Sequence, residues 1–373
     1  MPLHIGIDVR RLRDFGIGTY IRNLVRALGE IDRENRYSLI AAEADPPELA
    51  ALPPNFRCIV YSKSDSWLGL SYWLFLRGLS FDLFHVPLNF APVLMPRPYV
   101  VTIHDMSRLL FENAPGLSNT VRLFRYRRGL MRAARVLTVS DATRHDVESL
   151  LGIPSSRIRT IHNAPDPAFL DGEPAEIPRV MDRYQIDYPF LLYAGNIRPQ
   201  KNIPRLVEAF AVLLRGELVD HPQLSRLRLI IIGDEISHYP AVRQAVIRSR
   251  VEHEVRFLGF VPIETLRCLY QTAQAFVFPS LYEGFGLPPL EAMSCGAPVV
   301  ASNVSALPEV IGDAAVIVNP ENVFDIARGI RDVLLDTDLR QRVIAKGRAQ
   351  ARRFSWHDTA SQVLETYREI VAH

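Results

Sequence analysis

Two glutamates eight residues apart, Glu283 and Glu291, bracket the run Gly-Phe-Gly-Leu-Pro-Pro-Leu and are followed by AMSCGAPVVAS. Gly284 and Gly286 let backbone N–H groups approach a ligand closely. A helix expected from about Pro288 turns its N-terminus toward the same place, an arrangement that favours a phosphate. Carboxylates repel phosphate, so beside one they act as acceptors for hydroxyl hydrogens. A ligand that carries both phosphates and many hydroxyls is a nucleotide sugar. The competing reading is a solvated Glu283 with Glu291 as an ordinary first-turn helix carboxylate.

Three further segments have chemistry-bearing residues at the ends of apolar runs. Gly195-Asn-Ile-Arg198-Pro-Gln-Lys201-Asn stands between the apolar FLLYAG and an amphipathic stretch, Ile203–Leu214. Arg198 and Lys201 are close enough in sequence to serve one anion, the arginine as a fork and the lysine as a compact charge. As an isolated pair they would read as solvated surface bases. Thr102-Ile-His104-Asp105 closes the run Tyr99–Ile103, at a strand's carboxyl end, where α/β sheets bind ligands. Asp105 either accepts from the imidazole or caps the next helix. Gly16-Ile-Gly18-Thr19 follows the opening run Leu3–Val9. It lacks the third glycine of a dinucleotide fingerprint, and a structural tight turn explains it nearly as well.

The segment from Glu283 to Ser302 resembles the signature of the family-4 retaining glycosyltransferases, and the resemblance extends over essentially the whole chain. It implies the GT-B fold: two Rossmann-like, doubly wound α/β domains facing a central cleft. It implies that Glu283 contacts sugar hydroxyls and Glu291 the ribose, while the backbone of Phe285, Gly286 and Leu287 meets donor hydroxyls and phosphate. Arg198 and Lys201, with Gly195 beside them, correspond to the pair that stabilises the departing diphosphate. His104 corresponds to a histidine that contacts the donor sugar, and Gly16, Gly18 and Thr19 to a loop over donor phosphates and acceptor. The segment Arg256-Phe-Leu-Gly-Phe260-Val resembles the strand and turn that meet the nucleobase, largely through backbone. GIGTYIRNL is similar to the branch of bacterial mannosyltransferases of O-antigen and exopolysaccharide synthesis, which makes GDP-mannose the first donor to try. Retention at the anomeric carbon, a saccharide or lipid-linked acceptor, and no cofactor or metal complete what the resemblance implies.

The elements that must position these residues alternate. Apolar runs at Leu3–Val9, Phe81–Val86, Tyr99–Ile103 and Val136–Val139 suit buried parallel strands. FLLYAG, LRLIIIGD, VRFLG and AFVFPS repeat the theme in the second half. Between residues 164 and 189 five prolines interrupt it, and such a stretch forms neither a long helix nor a central strand. The expected organisation is a first domain over 1–170, a linker over 171–188, a nucleotide-sugar domain over 189–355, and a helix over 356–373 that crosses back to the first domain.

Asp336-Thr-Asp338 matches a metal-binding D-x-D only superficially. It follows a helical stretch, where capping explains it better, so Arg198 and Lys201 are expected to do a metal's work. Residues 121–135 hold six arginines and no acid. On a helix, Arg122, Arg125, Arg128, Arg132 and Arg135 fall on one side, with Leu123, Tyr126 and Leu130 on another. Such a helix either rests on an anionic inner leaflet or packs its apolar stripe on the core.

The remaining composition excludes more than it assigns. A chain of 373 residues suits two domains, and a net charge of +2 gives no support for a nucleic-acid partner. Cys58, Cys268 and Cys295 are too few and too scattered for a disulfide framework or a zinc ribbon. The opening residues lack a secretory apolar core, and no apolar run approaches the roughly 20 residues that span a bilayer, so a cytoplasmic location is expected. The rival readings are a synthase of soluble glycosides of the sucrose, trehalose or glycogen kind, a nucleotide-binding scaffold on a degenerate fold, and a dehydrogenase. The retained Glu283, Arg198 and Lys201 count against the scaffold, and the incomplete glycine fingerprint against the dehydrogenase.

Overall fold

The computed structural model describes residues 2–44, 46–62, 69–111, 117–170 and 176–372. The chain divides into two compact units, residues 1–164 with 355–373, and residues 165–354.

The first unit is built on a parallel sheet of seven strands, β1 (His4–Asp8), β2 (Arg36–Ala41), β3 (Phe56–Val60), β4 (Leu83–Val86), β5 (Tyr99–Ile103), β6 (Arg135–Thr138) and β7 (Ile158–Thr160). Its order is β3-β2-β1-β4-β5-β6-β7. The central strands β1, β4 and β5 are buried throughout, which is why they read as continuous apolar runs. The helix Ile17–Ile31 buries Ile21, Leu24, Val25 and Leu28 at helical spacing. The order reverses between β1 and β4, and that switch point opens a crevice at the carboxyl ends of the strands.

The helix Trp356–Ala372 belongs to this unit although it ends the chain. It packs on Ile17–Ile31. A buried hydrogen-bond chain holds it there: Tyr367 Oη lies 2.5 Å from His85 Nδ1, His85 Nε2 lies 2.7 Å from Thr102 Oγ1, and Thr102 Oγ1 lies 3.2 Å from Tyr20 Oη. At the rim, Arg159 pairs with Glu365 and Glu369.

The second unit repeats the plan with six parallel strands, β8 (Phe190–Ala194), β9 (Arg228–Ile232), β10 (Val255–Gly259), β11 (Ala275–Phe278), β12 (Val299–Ser302) and β13 (Val316–Val318). The order is β10-β9-β8-β11-β12-β13, so its switch point lies between β8 and β11.

Two boundaries differ from expectation. The second unit begins at Pro165, and much of the expected linker 171–188 is part of it. Residues 171–175 lie outside the described residues. Beyond them a short helix, Ile177–Arg183, buries Val180, and Ile186 and Tyr188 are buried as well. Phe169, upstream, sets its ring edge-on to Tyr270 at 5.7 Å. The prolines break long elements, but the apolar residues among them still dock on the unit. The arginine-rich helix runs Leu117–Arg132, and Arg135 is the first residue of β6. Tyr126 and Leu130 are buried as expected, whereas Val121, Leu123, Phe124 and Met131 are exposed. Its outward side is therefore mixed apolar and basic, because Arg122, Arg125 and Arg132 are half-buried against the unit.

Candidate functional site

In the second unit, the two sharpest sequence motifs follow β8 and β11, the strands that flank the switch point. After β8 the chain passes through Gly195 and Asn196, makes a single tight turn over Pro199–Lys201, and enters the helix Ile203–Val212. After β11 it passes through Glu283 and enters the helix Leu287–Ser294, with Pro288 and Pro289 in its first turn. Proline is well placed there, since a first-turn N–H has no partner within the helix.

These two loops are joined by an ion pair. Lys201 Nζ donates to both carboxylate oxygens of Glu283, at 2.6 and 2.8 Å. The side chains are only 15% and 9% exposed, so little solvent screens them. Lys201 also stands 5.4 Å from the centre of the Phe278 ring. Five hydrogen bonds hold the pair in place. Asn202, in a left-handed conformation at φ 61°, donates from its amide to the carbonyls of Pro279 (3.0 Å) and Pro320 (2.7 Å). Leu281 N donates to Gln200 O at 2.7 Å. The Glu283 carbonyl accepts from Ser305 Oγ and the Ala306 N–H.

Arg198 lies on the same loop, but the structure does not bring it onto the pair. It is exposed and near Tyr239, whose hydroxyl donates to Asp234 Oδ2 at 3.1 Å. The same oxygen accepts from Ile197 N at 3.1 Å, which fixes the loop beside Arg198. The loop thus offers one guanidinium to solvent and one ammonium committed to a carboxylate. An anion in the crevice would meet both charges only by drawing on each.

Gly286 caps the helix Leu287–Ser294 at φ 111°, and a Cβ there would stand 2.7 Å from Leu307 Cδ2. Only glycine leaves this N-terminus open. Phe285 is buried, with its ring edge-on to Phe354 at 5.7 Å, so its side chain is committed to packing. Glu291 lies within that helix. Burial, and then the charge of Asp166, push its carboxyl up to about 8, while Tyr270 pulls the other way. The Tyr270 hydroxyl is buried without a partner of hydrogen-bonding geometry among the described residues. At neutral pH Glu291 is therefore mostly protonated, able both to donate and to accept.

Arg256 does not reach the strand's carboxyl end, contrary to the expectation of a base contact there. It is the second residue of β10, and its guanidinium donates to Tyr188 Oη at 2.9 Å and Gln185 O at 3.3 Å. Its side chain is spent anchoring the start of the unit. Gly259 and Phe260 occupy the strand's carboxyl end instead.

The first unit has its own arrangement. Gly16, at φ 65°, caps the helix Ile17–Ile31, which has neither an acidic residue nor a side-chain cap in its first turn. A Cβ on Gly18 would stand 2.4 Å from Leu12 O, so here the turn does require glycine. Arg22 ties the loop down by donating to Leu12 O at 2.6 Å and Thr19 Oγ1 at 3.2 Å.

His104 follows β5. Its backbone N–H donates to Asn89 Oδ1 at 2.7 Å, and its ring stands edge-on to Tyr20 at 4.9 Å. Nε2 lies 3.1 Å from Pro87 O. A carbonyl only accepts, so Nε2 carries the proton and Nδ1 of the neutral ring is left as an acceptor. Burial holds the ring down to about 4, against the opposing pulls of the Pro87 carbonyl and Asp105. Asp105 accepts from the Ser107 N–H and hydroxyl at 2.9 and 2.6 Å, so it caps the next turn. Asp336 likewise caps, accepting from Leu339 N at 2.8 Å.

The family model "Glycosyltransferase Family 4" matches residues 16–169, and "Glycosyl transferases group 1" matches residues 180–350. The chain is 38% identical to O-antigen chain mannosyltransferase B of Escherichia coli, over 79% of this chain and 76% of that one. Among solved structures it is similar to a sucrose-phosphate synthase from Thermosynechococcus elongatus, with a TM-score of 0.78 and 20% identity over 99% of both chains. It is also similar to an Anabaena protein solved with UDP-glucose, with a TM-score of 0.77 and 19% identity over 98% of this chain and 100% of that one. At these identities the solved structures establish the fold expected from the sequence.

Glu291, half-buried, makes stability depend on pH. Its folded value of about 8 stands above the ordinary 4.5, so the folded protein keeps a proton that the unfolded chain has released. Its contribution to stability therefore falls as pH rises from the lower value to the higher, and is level above it. Urea unfolding followed over about pH 5–8 should show this decline in the native chain and lose it in Glu291→Gln, histidine titration being common to both chains. The same slope in both would place the carboxyl in contact with water.

Proposed function

The chain belongs to the family-4, group 1 glycosyltransferases, and from that premise we propose that it moves a hexosyl group from a nucleotide diphosphate sugar, with retention at the anomeric carbon, to a saccharide or lipid-linked saccharide of a cell-surface polysaccharide. GDP-mannose is the proposed donor. The likeness to an O-antigen mannosyltransferase and the loop GIGTYIRNL support that choice.

The observation that carries this reading is the Lys201–Glu283 pair at the switch point, with the exposed Arg198 on the same loop. Cleavage of the donor leaves negative charge on a diphosphate. Lys201 and Arg198 supply positive charge for it when the diphosphate draws on both, so the reaction proceeds without a metal ion. Glu283 accepts from sugar hydroxyls, and Glu291 exchanges hydrogen bonds with the ribose. In the first unit, the neutral ring of His104 has Nδ1 as an acceptor suited to a hydroxyl group. No side chain is assigned as nucleophile; attack on the face of the leaving diphosphate, with that group taking the acceptor's proton, needs none.

The test is turnover with GDP-mannose and a lipid-linked saccharide in EDTA. Lys201→Ala, Arg198→Ala and Glu283→Ala should each lower the rate by about a hundredfold or more, as expected for loss of a charge-stabilising group. Proton NMR of the product should show the donor's anomeric configuration. Near-normal rates in two of the three variants, or an inverted product, would overturn the assignment.

We also propose reversible attachment to the inner leaflet through the helix Leu117–Arg132. Among the described residues no helix is long and apolar enough to cross a membrane. The exposed Val121, Phe124 and Met131 beside exposed Arg127 and Arg128 suit a helix lying in a headgroup layer. Co-sedimentation at low salt should favour anionic over neutral vesicles and weaken with added salt; equal binding to both would sink the electrostatic version.

A further inference from the structure

The groups placed in catalysis stand at the carboxyl ends of strands. At the opposite edge of the first unit's sheet there is a separate pocket of about 730 Å³, with Asp82, Arg97, Met131, Arg132, Arg157 and Val371 in its lining. It lies at the amino ends of β4, β5 and β6, against the last turns of the helices Leu117–Arg132 and Trp356–Ala372.

Three guanidiniums share this pocket. Burial pushes the nearby Tyr99 phenol up to about 12, and Arg132, Arg97 and Arg157 each pull it back, so all three charges bear on one hydroxyl. None of the three forms an ion pair among the described residues. Arg157 donates to the carbonyls of Met131 (2.8 Å) and Ala133 and so caps the arginine-rich helix. That engages two of its five N–H donors and leaves its charge. Arg132 Nε is buried with no acceptor among the described residues, and a buried donor without a partner is costly. Asp82 is the acid in the lining, and one of its oxygens accepts from His4 N at 2.7 Å. Three positive charges against one negative leave a surplus of two, which matches a phosphate monoester dianion. The rest of the wall is largely apolar, with Pro98, Ala133 and Ile370.

We infer that this pocket binds a phosphate group. Guanidinium forks suit phosphate oxygens, and one such oxygen would supply the acceptor that Arg132 lacks. The phosphate comes either from an anionic lipid headgroup, consistent with the exposed Phe124 and Met131 on the adjoining helix, or from a free phosphate in solution. The inference is independent of the donor reading, none of whose assigned groups lines this pocket.

Calorimetric titration at low salt with inorganic phosphate and with glycerol phosphate tests it. Saturable binding is expected, weakened at least about tenfold, 1.4 kcal/mol, by Arg97→Ala and by Arg132→Gln. Arg97 is exposed, so its variant should fold, and an unchanged thermal transition without ligand checks this. Tighter binding of glycerol phosphate assigns the site to a lipid headgroup; equal or tighter binding of inorganic phosphate assigns it to the free ion. Absence of saturable binding by both probes, or binding that Arg97→Ala leaves intact, overturns the site.

Discussion

The pairing of Lys201 with Glu283 is the constraint on which the second unit's crevice depends. It joins the loops that leave β8 and β11 across the point where the strand order reverses. With both side chains nearly enclosed, deleting either partner would strand a charge, at a cost of about 3–5 kcal/mol. The surrounding devices exist to hold that geometry: the left-handed Asn202 with its two carbonyls, the clamp on the Glu283 carbonyl, and Gly286 at the helix start. A ligand that takes up Lys201 must therefore offer Glu283 something in return. A sugar diphosphate does both, with oxygens for the cation and hydroxyls for the carboxylate.

Three ionisable groups of similar promise have been set to different tasks by their surroundings. Glu283 is paired. Glu291 is half-buried and held as a protonated carboxyl near neutrality. His104 is enclosed and held as a neutral acceptor by burial and the Pro87 carbonyl. His104, held down to about 4, is a weak base near neutrality and serves as a hydrogen-bond acceptor.

Much of this was legible in the sequence because parallel strands buried on both faces read as unbroken apolar runs. The runs at β1, β4, β5, β6 and β8–β11 were found in that way, and the motifs could be placed at their carboxyl ends. The strands left unread were mainly those nearer the sheet edges. β3 and β7 are only partly buried, and β13 is three residues long, so neither length nor hydropathy marks them. Arg256 misled because a side chain at the start of a strand looks the same in sequence as one at its end. Asn202, Asp234 and Asn89 were missed for a related reason. Each acts by hydrogen-bonding backbone brought from elsewhere in the fold, and no spacing announces such a partner. The only signal was position, since Asn202 and Asp234 are the last residues of segments already singled out.

The central claim is that Lys201 is shared between Glu283 and the donor's diphosphate, and nucleotide affinity measured in EDTA tests it most directly. The comparison is GDP with GDP-mannose on the native chain, Lys201→Ala and Glu283→Gln. Loss of Lys201 should weaken both ligands. Removing the charge of Glu283 should leave GDP bound as tightly as before or more so, since the ammonium is then freer, while GDP-mannose loses affinity with its hydroxyl acceptor. If Glu283→Gln weakens GDP as much as Lys201→Ala does, the pair is a structural staple alone and the account fails.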